Sequence, residues 1–506
     1  MAYLVDHRAP ARLDTMSHTR QDTDAPRVAI IGAGFSGIAA AVALRQRGID
    51  DFVIFDKFDG LGGTWWTNRY PGAEVDLESH IYSFSYAPFD WSRNYVFWNE
   101  ILDYLTGVAR TWDLERRMRL TTKVEAIEWS DADSTWTVIT ADGERQGPFQ
   151  AVISAVGFLN IPLVPPFARG ETPFEGVLCH TSSWPEGVTM TGKRVAVLGT
   201  GSSAVQIVAE AVKDAESVAI YQIEPNWALP KGARAFTPEE RERFSKPLAY
   251  RWERAKLYLG YDRRQILAGH ARRDGRVNRA RREASLQFLH DSMADRPDLI
   301  ELLTPTFPFE GRRTVITDTY YPALKDPRVE LVPHAMTELT ATGARDAGGG
   351  EREFDIIVMA TGFDATNYVG SYEVRGEGGL TLKQAWAGEP EALLGLMVPG
   401  FPNFFMMYGP NTNAVPLPVF YEAQAAFAAG LIRKLRTGGH SVVRCRPESF
   451  RRFNDWLQGK LASTVWPETE SYFTTGSGKV VAQWPVTCTG YRIATRLAQR
   501  FAVQLD

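Results

Sequence analysis

The chain has 506 residues, 44% apolar and 23% charged, with a net charge of −4. That length outgrows one ordinary core and suits two or three domains of globular composition. The slight negative balance, with no block of like charges at either end, argues against nucleic acid as a main partner. The three cysteines, Cys179, Cys445 and Cys488, are far apart and form no C-x-x-C pair, so no metal site or dithiol redox centre is expected. A reducing, cytoplasmic setting fits this thiol usage.

Residues 1–25 are polar and mixed in charge. They are expected to form a disordered tail and lack the apolar run of a signal peptide; Met16 is an alternative start to Met1. The longest apolar stretch, Val28 to Leu44, is broken by Gly32, Gly34, Ser36 and Gly37. It reads as strand, turn and helix, not as a membrane span, and no membrane partner is expected. In Gly32-x-Gly34-x-x-Gly37 the first glycine makes the turn, the second lets the backbone approach a pyrophosphate, and the third lets helix and strand pack. The helix N-terminus then faces phosphate charge. Asp56 ends the second strand (Phe52 to Phe55), where a carboxylate accepts from a ribose hydroxyl pair.

Leu61-Gly62-Gly63-Thr64-Trp65 follows, then Tyr70-Pro71-Gly72 and Asp76. Glycines let this backbone run close to a flat ligand, with Trp65 placed to cover it; taken alone, an aromatic-rich loop explains the stretch as well. Strands are expected at Val124–Trp129, Thr135–Thr140 and Ala151–Val156.

A second unit repeats the grammar. The run Arg194–Leu198 leads into Gly199-x-Gly201-Ser202-Ser203-Ala204, a helix over Val205–Val212 and a strand at Val218–Tyr221, with Ala as a tolerated third residue. Two such βαβ units imply two dinucleotides, or one and a vestigial site, and a flavin beside a nicotinamide allows hydride transfer between them. Gln222 and Glu224 stand at the end of the second strand. An acid there suits a free ribose 2′-hydroxyl, whereas a 2′-phosphate wants Arg or Lys, so the local chemistry favours NADH. Lys231 and Arg312 are other sources of positive charge.

Residues 237–303 are highly charged and read as a helical insertion. Strands resume at Val329–Val332 and Phe354–Met359, and a helix is expected around Glu422–Leu435. Such alternation predicts an α/β chain of two Rossmann-type domains, for FAD and NAD(P), the second inserted in the first. The expected boundaries are 26–157 for the first part of the FAD domain, 158–335 for the NAD(P) domain with its insertion, and 336–506 for the second part of the FAD domain and the active-site loops.

Between the two units stands Phe174-x-Gly176-x-x-x-His180-x-x-x-Trp184-Pro185. This pattern resembles the fingerprint of type I Baeyer–Villiger monooxygenases, in which related nitrogen- and sulfur-oxidising enzymes carry Tyr or Phe at the Trp184 position. Gly62 to Asp76 and Ala360-Thr361-Gly362-Phe363-Asp364 also resemble signatures of that family, so the likeness runs from Arg27 nearly to the C-terminus. Pro308-Phe309-Glu310-Gly311-Arg312-Arg313 resembles the family's P-x-G-x-K-R stretch, with Arg313 at the catalytic position, Arg312 in place of Lys and Glu310 in place of Gly.

The resemblance implies FAD and NADPH, against the NADH or dual use that Glu224 favours; Ile223 stands where the family places a basic residue. It implies that the coenzyme reduces FAD, that dioxygen forms a C4a-peroxyflavin, and that this attacks a ketone to give an ester or lactone. Arg313 would supply fixed positive charge and Asp76 would hold Arg313, while His180 would organise the linker. The rival readings are a heteroatom oxygenase and, outside enzymes, a flavin redox sensor that would need neither Arg313 nor Asp76. The particular ketone and the oligomeric state are not written in the sequence.

Overall fold

The computed structural model describes residues 27–269 and 271–506; the tail expected at 1–25 lies outside them. The apolar tetrapeptide Val28–Ile31 is buried throughout and forms a strand inside a five-stranded parallel sheet. Its neighbours are Phe52–Phe55 on one side and Ala151–Ser154 on the other, with Met118–Arg119 and Phe404–Met406 at the two edges. A continuous apolar run is what a strand covered on both faces requires. The helix Phe35–Arg45 is buried at every position but its last. It is apolar all round because sheet and helix enclose it: the sheet lies on one side and the helix Leu417–Thr437 on the other.

The second sheet has the order 329–332, 217–221, 194–198, 356–359, 177–180, and every pair in it is parallel. Helices Ser202–Ala211, Arg276–Ser292, Pro297–Leu303 and Tyr320–Leu324 contribute to its core. The chain returns to the first sheet only with Phe404–Met406, so the second unit is inserted in the first. One expectation is corrected. The boundary read at 335 cuts through the second sheet, because the fully buried strand Ile356–Met359 hydrogen-bonds between Arg194–Leu198 and Val177–His180. The meander Met336–Glu353 leads into that strand, so the second unit runs past Met359.

The charged segment folds as helices Pro238–Ser245, Pro247–Ala268, Arg276–Ser292 and Pro297–Leu303. Thr237 and Glu240 form a reciprocal capping box at its start, satisfying donors that a helix N-terminus leaves open. This insertion divides its loyalty. Tyr250 and Tyr261 belong to the core of the first sheet, while Leu289, Met293, Leu299 and Leu303 belong to that of the second.

Candidate active site

Each glycine of the first loop has its own steric reason. Gly32 has φ +110°, and a Cβ on it would stand 2.4 Å from the Ala155 carbonyl oxygen. On Gly37 a Cβ would meet the Gly32 oxygen at 1.8 Å, so only glycine lets this helix rise directly off the turn. Gly34 faces Gly63, whose own Cβ would lie 2.9 Å from the Gly34 Cα. The two loops thus close on each other back to back, and Gly62 N–H donates to the Ala33 carbonyl. A cavity of about 340 Å³ runs past Gly32, Gly34, Asp56, Gly63, Thr64 and Trp65 to Ser182 and Phe363.

Asp56 is buried and accepts from the Ala33 N–H (2.7 Å) and the Phe58 N–H (3.0 Å). Burial raises its pKa, against the pull of those hydrogen bonds. Two of its lone-pair sites are therefore spent on the loop, and others remain open to the cavity. Trp65 donates to the Tyr82 hydroxyl (3.1 Å) and sits edge-on to that ring. The shape fits a dinucleotide: a strand, a glycine turn, a helix N-terminus and an acceptor carboxylate line one elongated cleft.

At the second loop Gly199 has φ +114°, and its Cβ would press the Ala360 carbonyl oxygen at 2.7 Å; a Cβ on Gly201 would meet nothing. Gly201 therefore faces open space at the N-terminus of Ser202–Ala211, which is where a phosphate would approach. The Tyr70 hydroxyl donates to Gln206 Oε1 (2.7 Å), which leaves the Ser203 hydroxyl, 3.1 Å away, to donate to the Tyr70 oxygen. Glu224 is paired with Arg312 at 2.5 Å, and Arg312 stacks over Phe307, while the neighbouring Ile223 is 79% exposed. The acid and the base that sequence reading weighed against each other thus sit together at the strand end.

Gln222 is buried and donates to the Leu302 carbonyl (2.7 Å), which ties the helical insertion to the strand, and it lines a small pocket with Thr200 of the second glycine loop. Lys231 is committed to other partners: its side chain is 2% exposed, and its Nζ lies 2.6 Å from Glu74 Oε1 and over the Tyr95 ring.

Lys231 opens instead onto a second cavity, of about 550 Å³, shared with Asp76, Arg313, Tyr261, Asn413 and Trp484. Here Arg313 Nε donates to Asp76 Oδ2 at 3.0 Å, and a terminal guanidinium nitrogen makes a second bond to the same oxygen. Attraction to Asp76 lifts the Arg313 pKa above its ordinary value in spite of burial. Burial pushes Asp76 upward, but Arg313, with Lys231 further off, holds it below the ordinary carboxylate range. Tyr472 also faces Arg313. Glu310 does occupy a glycine-like position, at φ +70°.

The segment that carries Asp76 is braced by the second domain. A Cβ on Gly72 would strike Glu210 at 2.5 Å, and Gln206 donates to the Glu74 carbonyl (3.0 Å). Tyr70-Pro71-Gly72 is therefore packed on the helix after the second glycine loop. Sequence reading marked these residues as flanking a flat ligand and missed Glu74 and Gln206, which no local motif announces; Lys231 it named only as a charge for the coenzyme.

The fingerprint residues gather at the linkers. Phe174 is buried against Gly176, where a Cβ would stand 2.5 Å from the Phe174 ring and 2.6 Å from the Asp355 carbonyl oxygen. Trp184 Nε1 lies 3.4 Å from the Val188 carbonyl oxygen. His180 Nδ1 accepts from the Ser182 N–H (3.1 Å), which leaves the proton on Nε2 to bond the Gly362 carbonyl at 3.0 Å. Burial lowers its pKa, and a neutral ring suits both bonds. Leu163 N–H donates to Gly362, and Asp364 N–H donates to Ile161. The outgoing and returning linkers thus run side by side, with His180 fastened to one of them.

Residues 25–240 match the family described as FMO-like, flavin-binding monooxygenase-like. A Baeyer-Villiger monooxygenase of Pseudomonas aeruginosa is 34% identical over 477 residues, spanning 93% of this chain and 89% of that protein. Phenazine N-monooxygenase PhzNO1 of Lysobacter antibioticus is 30% identical, spanning 88% of this chain and 89% of that protein. The crystal structure of cyclohexanone monooxygenase from Rhodococcus sp. Phi1 bound to NADP+ superposes with a TM-score of 0.84 at 28% identity, covering 95% of this chain and 99% of that one. With that identity along nearly the full length of both sequences, the chain belongs to the Baeyer–Villiger monooxygenases of the flavin-binding monooxygenase-like family.

Proposed function

We propose that this protein binds FAD at the first glycine loop and NADPH at the second, and inserts one oxygen atom of O2 between a ketone carbonyl and its neighbouring carbon. Ketone, O2, NADPH and a proton become ester or lactone, NADP+ and water. Gly32, Gly34, Gly37, Asp56, Gly63, Thr64 and Trp65 would hold the flavin; Gly199, Gly201, Ser202 and Ser203 would hold the coenzyme pyrophosphate. Bound flavin, reduced by the coenzyme, supplies the activated oxygen.

The observation that carries the reading is the Arg313–Asp76 pair in its cavity. Arg313 cannot lose its proton and Asp76 is held ionised, so neither group is a proton donor. What the pair offers is a fixed positive charge at a set position. Such charge stabilises an anionic oxygen nucleophile and the oxyanion formed when it adds to a carbonyl, without reorganisation during the reaction. A heteroatom oxygenation would gain more from a protonated, electrophilic oxygen, so the pair favours ketones even though an N-monooxygenase stands among the relatives.

The test is anaerobic reduction of the flavin-loaded protein by NADPH and by NADH, followed by oxygen and a cyclic ketone, with ester measured by mass. Wild type should form ester in proportion to coenzyme consumed. Arg313→Ala should still be reduced but lose ester formation by on the order of a hundredfold or more. Ester formation by that variant at the wild-type rate would overturn the role given to Arg313.

A further inference from the structure

Helix Pro247–Ala268 turns one side toward the Arg313 cavity, through Tyr261, Arg264 and Gln265. Its opposite side is unusual for a protein surface. Leu248 is 80% exposed and Trp252 69%, with Ala255 and Leu259 following at helical spacing on the same exposed face. Interleaved with them are exposed Arg251, Lys256 and Arg263. Neither acid of the helix shares that face: Asp262 is buried, and the mostly buried Glu253 pairs with Lys256.

The C-terminal helix Cys488–Phe501 repeats the pattern. Ile493, Leu497 and Phe501 are each more than half exposed, beside exposed Arg492, Arg496 and Arg500, and the helix contains no acid. The two helices are joined. Asp262 accepts from the Cys488 N–H (2.9 Å), and the Tyr258 and Thr489 hydroxyls lie 2.7 Å apart. Among the described residues, Arg251, Arg263, Arg496 and Arg500 enter no ion pair.

We propose that these two helix faces form a docking surface for an anionic lipid bilayer. Exposed Trp and Leu among Lys and Arg is the composition of an interfacial helix, whose apolar groups enter the acyl boundary while its cations meet lipid phosphates. A chain of net charge −4 that gathers unpaired arginines on this surface is complementary to an anionic layer. A symmetric contact between two copies would set those arginines against one another. No helix among the described residues is long and apolar enough to cross a membrane, so the attachment is peripheral. The sequence offered no hint of it, because neither helix contains an uninterrupted apolar run. Docking would lay a wall of the substrate cavity against the phase in which apolar ketones dissolve, and the surface interaction itself needs no assumption about the reaction.

The experiment is co-sedimentation of the flavin-loaded full chain with phosphatidylcholine vesicles, with and without phosphatidylglycerol, at low and high salt. Binding should require phosphatidylglycerol and be reversed by salt. Trp252→Glu combined with Leu259→Glu should abolish it, with coenzyme oxidation in solution unchanged. Arg496→Glu and Arg500→Glu should each weaken it about fivefold or more. Failure of wild type to sediment with anionic vesicles would overturn the proposal. So would binding indifferent to both sets of variants, or a concentration-dependent dimer that Trp252→Glu dissolves.

Discussion

Arg313 reaches Asp76 across 237 residues of chain, and the loop that delivers it is under local strain. Glu310 holds φ +70°, a conformation that crowds any Cβ. Its carboxylate gains only a 3.5 Å pairing with Arg281. Glu310→Gly should therefore raise stability by roughly 0.5–1 kcal/mol, the left-handed penalty less the freedom glycine adds to the unfolded chain, read as a higher thermal midpoint; a lower midpoint would refute this account. Next to it, Arg312 is paired with Glu224, so a coenzyme 2′-phosphate would take over a cation already in place. Arg312→Ala should raise KM for NADPH about tenfold, since hydrogen bonds to charged groups contribute roughly 1.5–3 kcal/mol, and leave KM for NADH nearly unchanged. Equal losses for both coenzymes would remove Arg312 from the 2′ position. How legible this site was follows from the range of each contact. The glycine loops and Asp56 are local patterns whose spacing carries their geometry. Arg313 and Asp76 were reached only through resemblance to a family, and the Lys231–Glu74 pair by neither route, because nothing near Lys231 in sequence records what folds over it.

Among the elements, the turn at 79–83 and the helical insertion meet around His80. Its ring is buried among Phe236, Phe244 and Tyr250, and its Nε2 has no hydrogen-bond partner. Burial, with Glu253 opposing and Arg254, Arg243 and Lys256 reinforcing, lowers its pKa from 6.5 to about 4. The folded ring stays neutral where the unfolded one takes a proton, so the unfolded chain binds more protons between these values and stability falls as pH drops through that window. The full loss is about 3 kcal/mol. His80→Phe should flatten the acid limb of the stability curve between pH 6.5 and 4, as followed by urea unfolding at several pH values; an unaltered limb would exclude His80 as its source. Elements were easier to read than their neighbours. The strand ending at Met359 is evident from its apolar run, yet it was assigned to the wrong side of a boundary, since strand partners are set by topology and leave no mark on the strand itself.

For the molecule as a whole, the inserted domain hangs on two linkers that pair through Leu163, Gly362, Asp364 and Ile161, with His180 holding Gly362. His180→Ala should release that fastening and displace the coenzyme from the flavin. A displacement on the ångström scale costs up to a hundredfold in rate, so flavin reduction should slow ten- to a hundredfold while the bound flavin remains yellow. Stopped-flow reduction at the wild-type rate would make His180 a packing residue only. A second connection bypasses the linkers. Tyr70, Gly72 and Glu74, on the chain between the first glycine loop and Asp76, rest on Ser203, Gln206 and Glu210 of the helix that would receive the coenzyme phosphates. That strut makes the two ligands thermodynamic partners. If coenzyme bound at the helix changes the affinity for flavin by some factor, flavin must change the affinity for coenzyme by the same factor. Any substitution along the strut that alters one of these affinities through the other is then visible from both ends.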